Sequence, residues 1–300
     1  MRCRIIMNPV AAGGAHQRYF EDILNELSTA YKCESVRTEY HGHAEILAAA
    51  AVREQVDLIV SVGGDGTLYQ VINGVLSENG QPLLGIIPAG TCNDYVKSIR
   101  IPRDIRKACQ VIEAGHWEWF DAGQAGDRYF VNAAGLGFDA QVVKALHHSR
   151  VKGKAAYVST VLRQIFNYKA QRLHITNGRE YFRPDAFMLT VANGAYYGGQ
   201  FHIAPQANTQ DGQLNAVLVR DASALRRLMI FPHFFKGSHV HEKEVELIDT
   251  KELEVVADSE ITLQLEGELY TPLDNRIVFK VHPKRLKILV PNPELLAMRN

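Results

Sequence analysis

The chain has 300 residues, 46% of them hydrophobic and 22% charged, with 33 Lys and Arg balancing 33 Asp and Glu at zero net charge. That length suggests two domains, and the composition excludes collagen, extended disorder and a disulfide miniprotein. Neutrality argues against a global electrostatic footprint for nucleic acid, and no run of about 18 apolar residues offers a bilayer-spanning helix.

Taken in chain order, the first 115 or so residues alternate strands and helices. Arg4 to Met7 reads as a first strand, too short and too charged for a secretory leader. It ends at Asn8-Pro9 and a small-residue turn through Gly14. His16 to Ala30 carries Phe20, Ile23, Leu24 and Leu27 at helical spacing. Glu34 to Thr38 is a second strand, and the alanine-rich stretch Ala44 to Glu54 a second helix. Asp57 to Val62 is a continuous apolar run, the mark of a buried parallel strand. Helix Thr67 to Leu76, strand Leu83 to Ile87 and helix Ile105 to Glu113 complete the series. This rhythm predicts a doubly wound α/β domain with a parallel sheet.

After Trp119 the rhythm changes. Short strands are predicted at 129–133, 171–176, 181–183, 187–192, 214–219, 244–247, 252–256, 261–265, 276–281 and 286–290. Asn177-Gly178 marks a hairpin turn. Helices are expected at Ala155 to Tyr168 and Ala222 to Lys236. The second half therefore reads as a mainly antiparallel β-sandwich. The expected domains are 1–119 and 120–300, with the last strand free to return to the first domain. Cys3, Cys33, Cys92 and Cys109 match no zinc or redox spacing and read as reduced thiols.

Gly63-Gly64-Asp65-Gly66-Thr67 follows a buried strand and opens a helix. Such a turn points backbone N–H groups at an anion, with phosphate the usual occupant. Asp65 beside phosphates is repulsive unless a divalent cation or a proton intervenes, which argues for a magnesium nucleotide. The bland alternative is a tight turn with Thr67 as a cap. The motif is neither G-x-x-x-x-G-K-[ST] nor G-x-G-x-x-G. Two further turns, Asn8 to Gly14 and Pro88 to Thr91, also follow predicted strands, so all three fall at the carboxyl edge of one sheet, where such folds bind ligands.

These turns resemble the diacylglycerol kinase and sphingosine kinase catalytic-domain superfamily, most closely its soluble bacterial lipid kinases. The likeness continues through Phe130 to Asp139, Ala192 to Gly199, Ile203-Ala204-Pro205, Asp211-Gly212 and Glu266-Gly267-Glu268. The resemblance implies an ATP-dependent lipid kinase acting on a hydroxyl of a lipid such as diacylglycerol. It implies ATP contacts from Asn8, Pro9, Val10, Ala11, Ala12, Thr38, Gly63, Gly64, Asp65, Gly66, Thr67, Leu68, Tyr69, Gly90 and Thr91, and an active cleft at the domain boundary. Glu268 inherits the role of general base, and Asp65 is the other catalytic carboxylate. Asn208, Asp211 and Gln213 match a structural magnesium loop, the alternative there being a plain hairpin turn. Tyr69, Gln70, Gln210 and Glu266 depart from the family's usual residues.

A lipid kinase needs transient contact with a membrane surface. The basic run His147 to Lys154, beside an amphipathic helix at 155–168, suits an anionic bilayer; the alternative is a solvated loop before a core helix. The expected setting is cytoplasmic and peripheral to the membrane, with no nucleic-acid partner and a homodimer through edge strands left open. Two other functions compete: a kinase of a soluble substrate, such as an NAD kinase, and a nucleotide-binding regulatory module with little catalysis.

Overall fold

The computed structural model describes residues 1–78, 80–147, 154–178 and 180–292. They divide into two compact units. One holds Met1–Ala122 and the segment from Pro283 onward, and the other is Gly123–His282.

The first unit is built from strands β1 (Arg2–Met7), β2 (Lys32–Arg37), β3 (Leu58–Gly63), β4 (Leu83–Pro88) and the start of β5 (Trp117–Ala125). Its helices are α1 (Phe20–Leu27), α2 (His43–Arg53), α3 (Asp65–Leu76), α4 (Tyr95–Ser98) and α5 (Ile105–Ala114). β2, β1, β3 and β4 pair in that order, all parallel. β3 is buried along its whole length, as its unbroken apolar sequence requires. Leu58, Ile59, Val60 and Val62 of β3 are fully buried. The helix expected over 16–30 begins only at Phe20, because two short 3₁₀ turns at Ala11–Gly14 and Gln17–Tyr19 precede it. Trp117 and Trp119 stand edge to face at 5.8 Å on β5, with Lys287 Nζ over both rings.

The second unit contains β6 (Arg128–Phe130), β7 (Ala133–Gly137), α6 (Phe138–His147), α7 (Lys154–Asn167), β8 (Gln171–Thr176), β9 (Tyr181–Phe182), β10 (Asp185–Ala192), β11 (Tyr196–Tyr197), β12 (Phe201–His202) and β13 (Leu214–Arg220). It continues with α8 (Ala224–Ile230), β14 (Val245–Thr250), β15 (Glu252–Ala257), β16 (Leu263–Leu265), β17 (Glu268–Tyr270) and the first half of β18 (Arg276–Leu289), whose end from Pro283 belongs to the first unit. Its pairings are antiparallel: β17 with β16, β16 with β7, β7 with β10, β10 with β13 and β8, and β8 with β15. The core beside β10 and β13 includes Phe138, Val142, Val161, Ile165, Phe187, Phe201 and Phe234.

Two further sequence expectations are corrected, and one helix was missed. The helix expected over 222–236 stops at Ile230 and continues as a 3₁₀ turn, Phe231–Phe235. Pro232 lacks the N–H an α-helix needs there. The strands expected at 276–281 and 286–290 are one strand, β18, in which Lys284 takes a φ of 51°. That local kink lets the strand pair with β15 before it and with β4 after it. Helix α6, carrying Phe138 and Val142 into the core, had no sequence assignment.

Candidate active site

The carboxyl ends of β1, β3 and β4 bring the three glycine-bearing turns together. Asn8 donates from Nδ2 to Thr67 Oγ1 at 2.9 Å, and its own N–H bonds the Val62 carbonyl. Val10 N–H donates to Asn8 Oδ1, and Ala11 N–H to the Asn8 carbonyl. Pro9 stands between them, half-buried, and Ala12 takes a left-handed φ of 48°. Thr38 N–H donates to the Met7 carbonyl, which puts Thr38 beside the first turn. Ala89 N–H donates to the Gly63 carbonyl and so joins the second and third turns.

The turn after β3 runs directly into α3, whose N-terminus has no side-chain cap. Its first N–H groups and the helix dipole face the turn, an arrangement suited to a phosphate. Leu68 and Tyr69 are buried in α3 and anchor it. Gly64 and Gly90 approach backbone to backbone: a Cβ on Gly90 would stand 2.2 Å from Gly64 Cα. Thr91 is exposed, and its carbonyl accepts from Arg103.

Asp65 lies at the centre of this arrangement. Its Oδ1 accepts the Asp94 N–H at 2.7 Å and the Tyr95 N–H at 3.4 Å. Burial raises its carboxyl pKa, and the Asp94 charge raises it further, against the pull of those N–H bonds. Asp94 is 4% exposed and bonds Lys97 Nζ at 2.6 Å. Asp94 is one residue that sequence reasoning missed. Its signal was an acid inside Asn93-Asp94-Tyr95, directly after a glycine turn and ahead of a buried stretch. A divalent cation at the half-buried Asp65 carboxylate would relieve the repulsion that the neighbouring Asp94 exerts on it. Asp121, fully buried on β5, was also missed; its Oδ1 accepts the Lys284 N–H at 2.7 Å.

Gln70, one of the departures from the family pattern, has a local explanation. Its Oε1 accepts the Gly42 N–H at 3.1 Å and ties α3 to the start of α2.

Glu268 belongs to the second unit. It opens β17, half-buried, and pairs with Leu265 of β16. Asn208, Asp211 and Gln213 share one loop of that unit. There Asn208 Oδ1 accepts the Gln210 N–H at 3.1 Å, and Asp211 Oδ1 accepts the Gln213 N–H at 2.9 Å. The loop is thus organised by two side-chain-to-backbone turns. Asn208 and Asp211 are exposed, and one carboxylate with nearby carbonyls suits at most a weak, largely hydrated magnesium. No group of three or more His, Cys, Asp or Glu residues forms a metal cluster among the described residues. A cavity of about 500 Å³ at the opposite edge of the first unit's sheet, between Met1, Gln55, Gln81 and Trp117, contains none of these residues.

The basic run at 147–154 falls largely outside the described residues. In α7, Val161 and Ile165 are buried, whereas Leu162 and Phe166 are 38% and 58% exposed. No helix among the described residues is long and apolar enough to cross a membrane.

Residues 2–125 match the diacylglycerol kinase catalytic domain, and residues 132–290 match the YegS C-terminal NAD kinase beta sandwich-like domain. A diacylglycerol kinase of Staphylococcus saprophyticus is 30% identical over 296 residues, covering 97% of this chain and 96% of its own. A Bacillus anthracis structure described as a candidate diacylglycerol kinase superposes with a TM-score of 0.81 at 25% identity, covering 98% of each chain. An NAD kinase from Archaeoglobus fulgidus, solved in complex with ATP, has a TM-score of 0.53 at 15% identity over 98% of this chain and 95% of its own, a likeness of fold alone.

Proposed function

Because this chain belongs to the diacylglycerol kinase family and is a phosphotransferase with an alcohol acceptor, we propose that it uses ATP to phosphorylate the hydroxyl of a membrane lipid of the diacylglycerol type. The observation that carries the reading is the meeting of the Gly63–Thr67 and Gly90–Tyr95 turns around Asp65.

In this reading the uncapped N-terminus of α3 and the turn after β1 hold the ATP phosphates through backbone N–H groups. Asn8 and Thr67, bonded to each other, fix the spacing of those two turns. Thr38 contacts the nucleotide from the end of β2. Asp65 and Asp94 would supply the carboxylate oxygens for magnesium. That ion, when bound, offsets charge on the transferring phosphoryl group. The lipid oxygen bonds the γ-phosphorus as the bond from that phosphorus to the β–γ bridging oxygen breaks and ADP departs. The hydroxyl proton passes to the Glu268 carboxylate. A carboxylate is a competent acceptor for this proton when within hydrogen-bond reach. Asp211, with the carbonyls of Asn208 and Gln213, would hold a second, structural magnesium. The half-exposed apolar face of α7 supports transient contact with the membrane that contains the substrate.

Labelled ATP, magnesium and mixed micelles carrying diacylglycerol, phosphatidylglycerol, a sphingoid base or a polyprenol test this directly, with NAD in a parallel tube. Label in diacylglycerol that is lost in Glu268→Gln is the expected result. Label in NAD alone would replace the lipid reading with a soluble-substrate kinase. Nucleotide binding with no labelled product would leave a regulatory module.

A further inference from the structure

Resting on the assignment of Glu268 as proton acceptor, we propose that Glu266 is a positioning residue whose carboxylate, anchored on the 131–132 backbone, fixes the place of the Glu268 carboxylate. The argument starts from an unfavourable backbone. Leu265 and Glu268 pair directly, so Glu266 and Gly267 form a two-residue hairpin link. Both have positive φ, 54° and 87°. Glycine accepts this region readily, but a residue with a Cβ pays roughly 1–2 kcal/mol. Links of this shape favour Asn, Asp or Gly at the first position, and glutamate is a poor choice on local grounds.

What holds it there is tertiary. Glu266 Oε1 accepts the Val131 N–H at 2.9 Å and the Asn132 N–H at 2.6 Å. Its own N–H donates to the Ala133 carbonyl at 3.3 Å. Hydrogen bonds to an ionised acceptor are stronger than neutral ones. The anchor is itself fixed. Asn193 Nδ2 donates to the Val131 carbonyl at 2.6 Å, and the Asn193 and Gly194 N–H groups donate to the Asn132 carbonyl at 2.8 Å. On the other flank, Gly267 N–H donates to Oε1 of the buried Gln264 at 2.9 Å. The link is therefore tied at both of its residues, and Glu268 is the first residue beyond it. Glu266 Oε1 is committed to backbone amides, so its role is to place the neighbouring acid. A displacement of about 1 Å at a reacting group costs on the order of 10²-fold in rate.

The test uses the full chain, labelled ATP with magnesium, and diacylglycerol in mixed micelles. Glu266→Asn keeps a residue suited to positive φ but shortens the side chain by a methylene, so the fold should survive while the anchor is lost. Its thermal midpoint checks that survival. The expected loss in kcat is on the order of 10²-fold, with KM for ATP unchanged within about twofold. Both anchoring bonds end on one oxygen, so Glu266→Gln can keep them and should recover at least about tenfold of that loss. The double variant Glu266→Asn/Glu268→Gln should be no slower than Glu268→Gln alone within about threefold, because both changes remove the same proton transfer. Glu266→Asn with wild-type kcat would overturn the proposal. So would a multiplicative loss in the double variant, the sign of a general structural defect. Full activity in Glu268→Gln alone would overturn the base assignment itself and this proposal with it, a result read without any Glu266 variant.

Discussion

Gly90 shows how closely the nucleotide turns are fitted. A methyl group there meets Gly64 Cα at 2.2 Å and Asn93 Oδ1 at 2.7 Å. Nearby backbone cannot yield that distance without opening the turn around Asp65. Gly90→Ala should therefore abolish the ATP-induced rise in thermal midpoint and lower kcat/KM for ATP by at least about 10²-fold, checked by thermal shift and steady-state kinetics. Asp139 is the other residue with a measurable signature. Burial pushes its carboxyl from 3.8 up to about 7, opposed by the Ala140 N–H, the Gln264 amide and the Thr190 hydroxyl. Between about pH 4 and 7 the folded protein keeps a proton there that the unfolded chain has released. Acidification through that window thus favours the fold, and the benefit is lost as pH rises through about 7. Comparing urea midpoints of the wild type with Asp139→Asn across pH 4 to 8 should reveal a difference of at most about 4 kcal/mol that varies over this window alone. Gly135 shares this constraint, since a Cβ on it would stand 1.6 Å from Asp139 Oδ2.

At the scale of elements, the alternation of strand and helix in the first unit was legible because β3 and β4 are nearly continuous apolar runs and each turn that follows a strand carries glycine. The turns holding Asn8, Gly64 and Gly90 could be read for the same reason. Asp94 could not, because its place beside Asp65 comes from the pairing of β3 with β4, 29 residues apart in the bond to Asp65. β18 escaped because Pro283 looks like a breaker, while its two ends are held by different neighbours. Helix α6 had its own periodicity in Phe138 and Val142 but was given no element, because its first residues counted only as part of the stretch that resembles the family. Helix α7 was legible in its periodicity, yet its face divides: Val161 and Ile165 pack inward while Leu162 and Phe166 stay accessible. Leu162→Asp with Phe166→Asp should leave the thermal midpoint within a few degrees and reduce sedimentation with anionic vesicles by several-fold. Unchanged sedimentation would remove α7 from the membrane contact.

For the whole molecule, the decisive feature is that the first unit is discontinuous in sequence. Its sheet is completed by the end of β18, where Lys287 pairs with Leu83 and Ile288 with Leu84. Leu286, Ile288, Leu289 and Val290 are all buried. Asp121, fully buried, has its carboxylate satisfied in part by the Lys284 N–H from that same segment. Removing the chain from Pro283 onward would expose the β4 edge and leave a buried acid short of a donor. The truncated protein should lose its nucleotide-dependent thermal shift, while the far-ultraviolet signal of the second unit's strands persists.

The same discontinuity sets an order of events at the ribosome. When Ala122 emerges, every helix of the first unit has been made, but the strand that closes its sheet has not. At about 5–20 residues per second, the stretch from Gly123 to His282 takes on the order of ten seconds or more to synthesise. Throughout that interval the nascent first unit offers an open β4 edge to any neighbouring chain, while the inserted unit can mature as soon as it is complete. The protein should therefore finish folding from the middle outward, and its demand for chaperones should fall on its amino-terminal half, the half that holds the glycine turns.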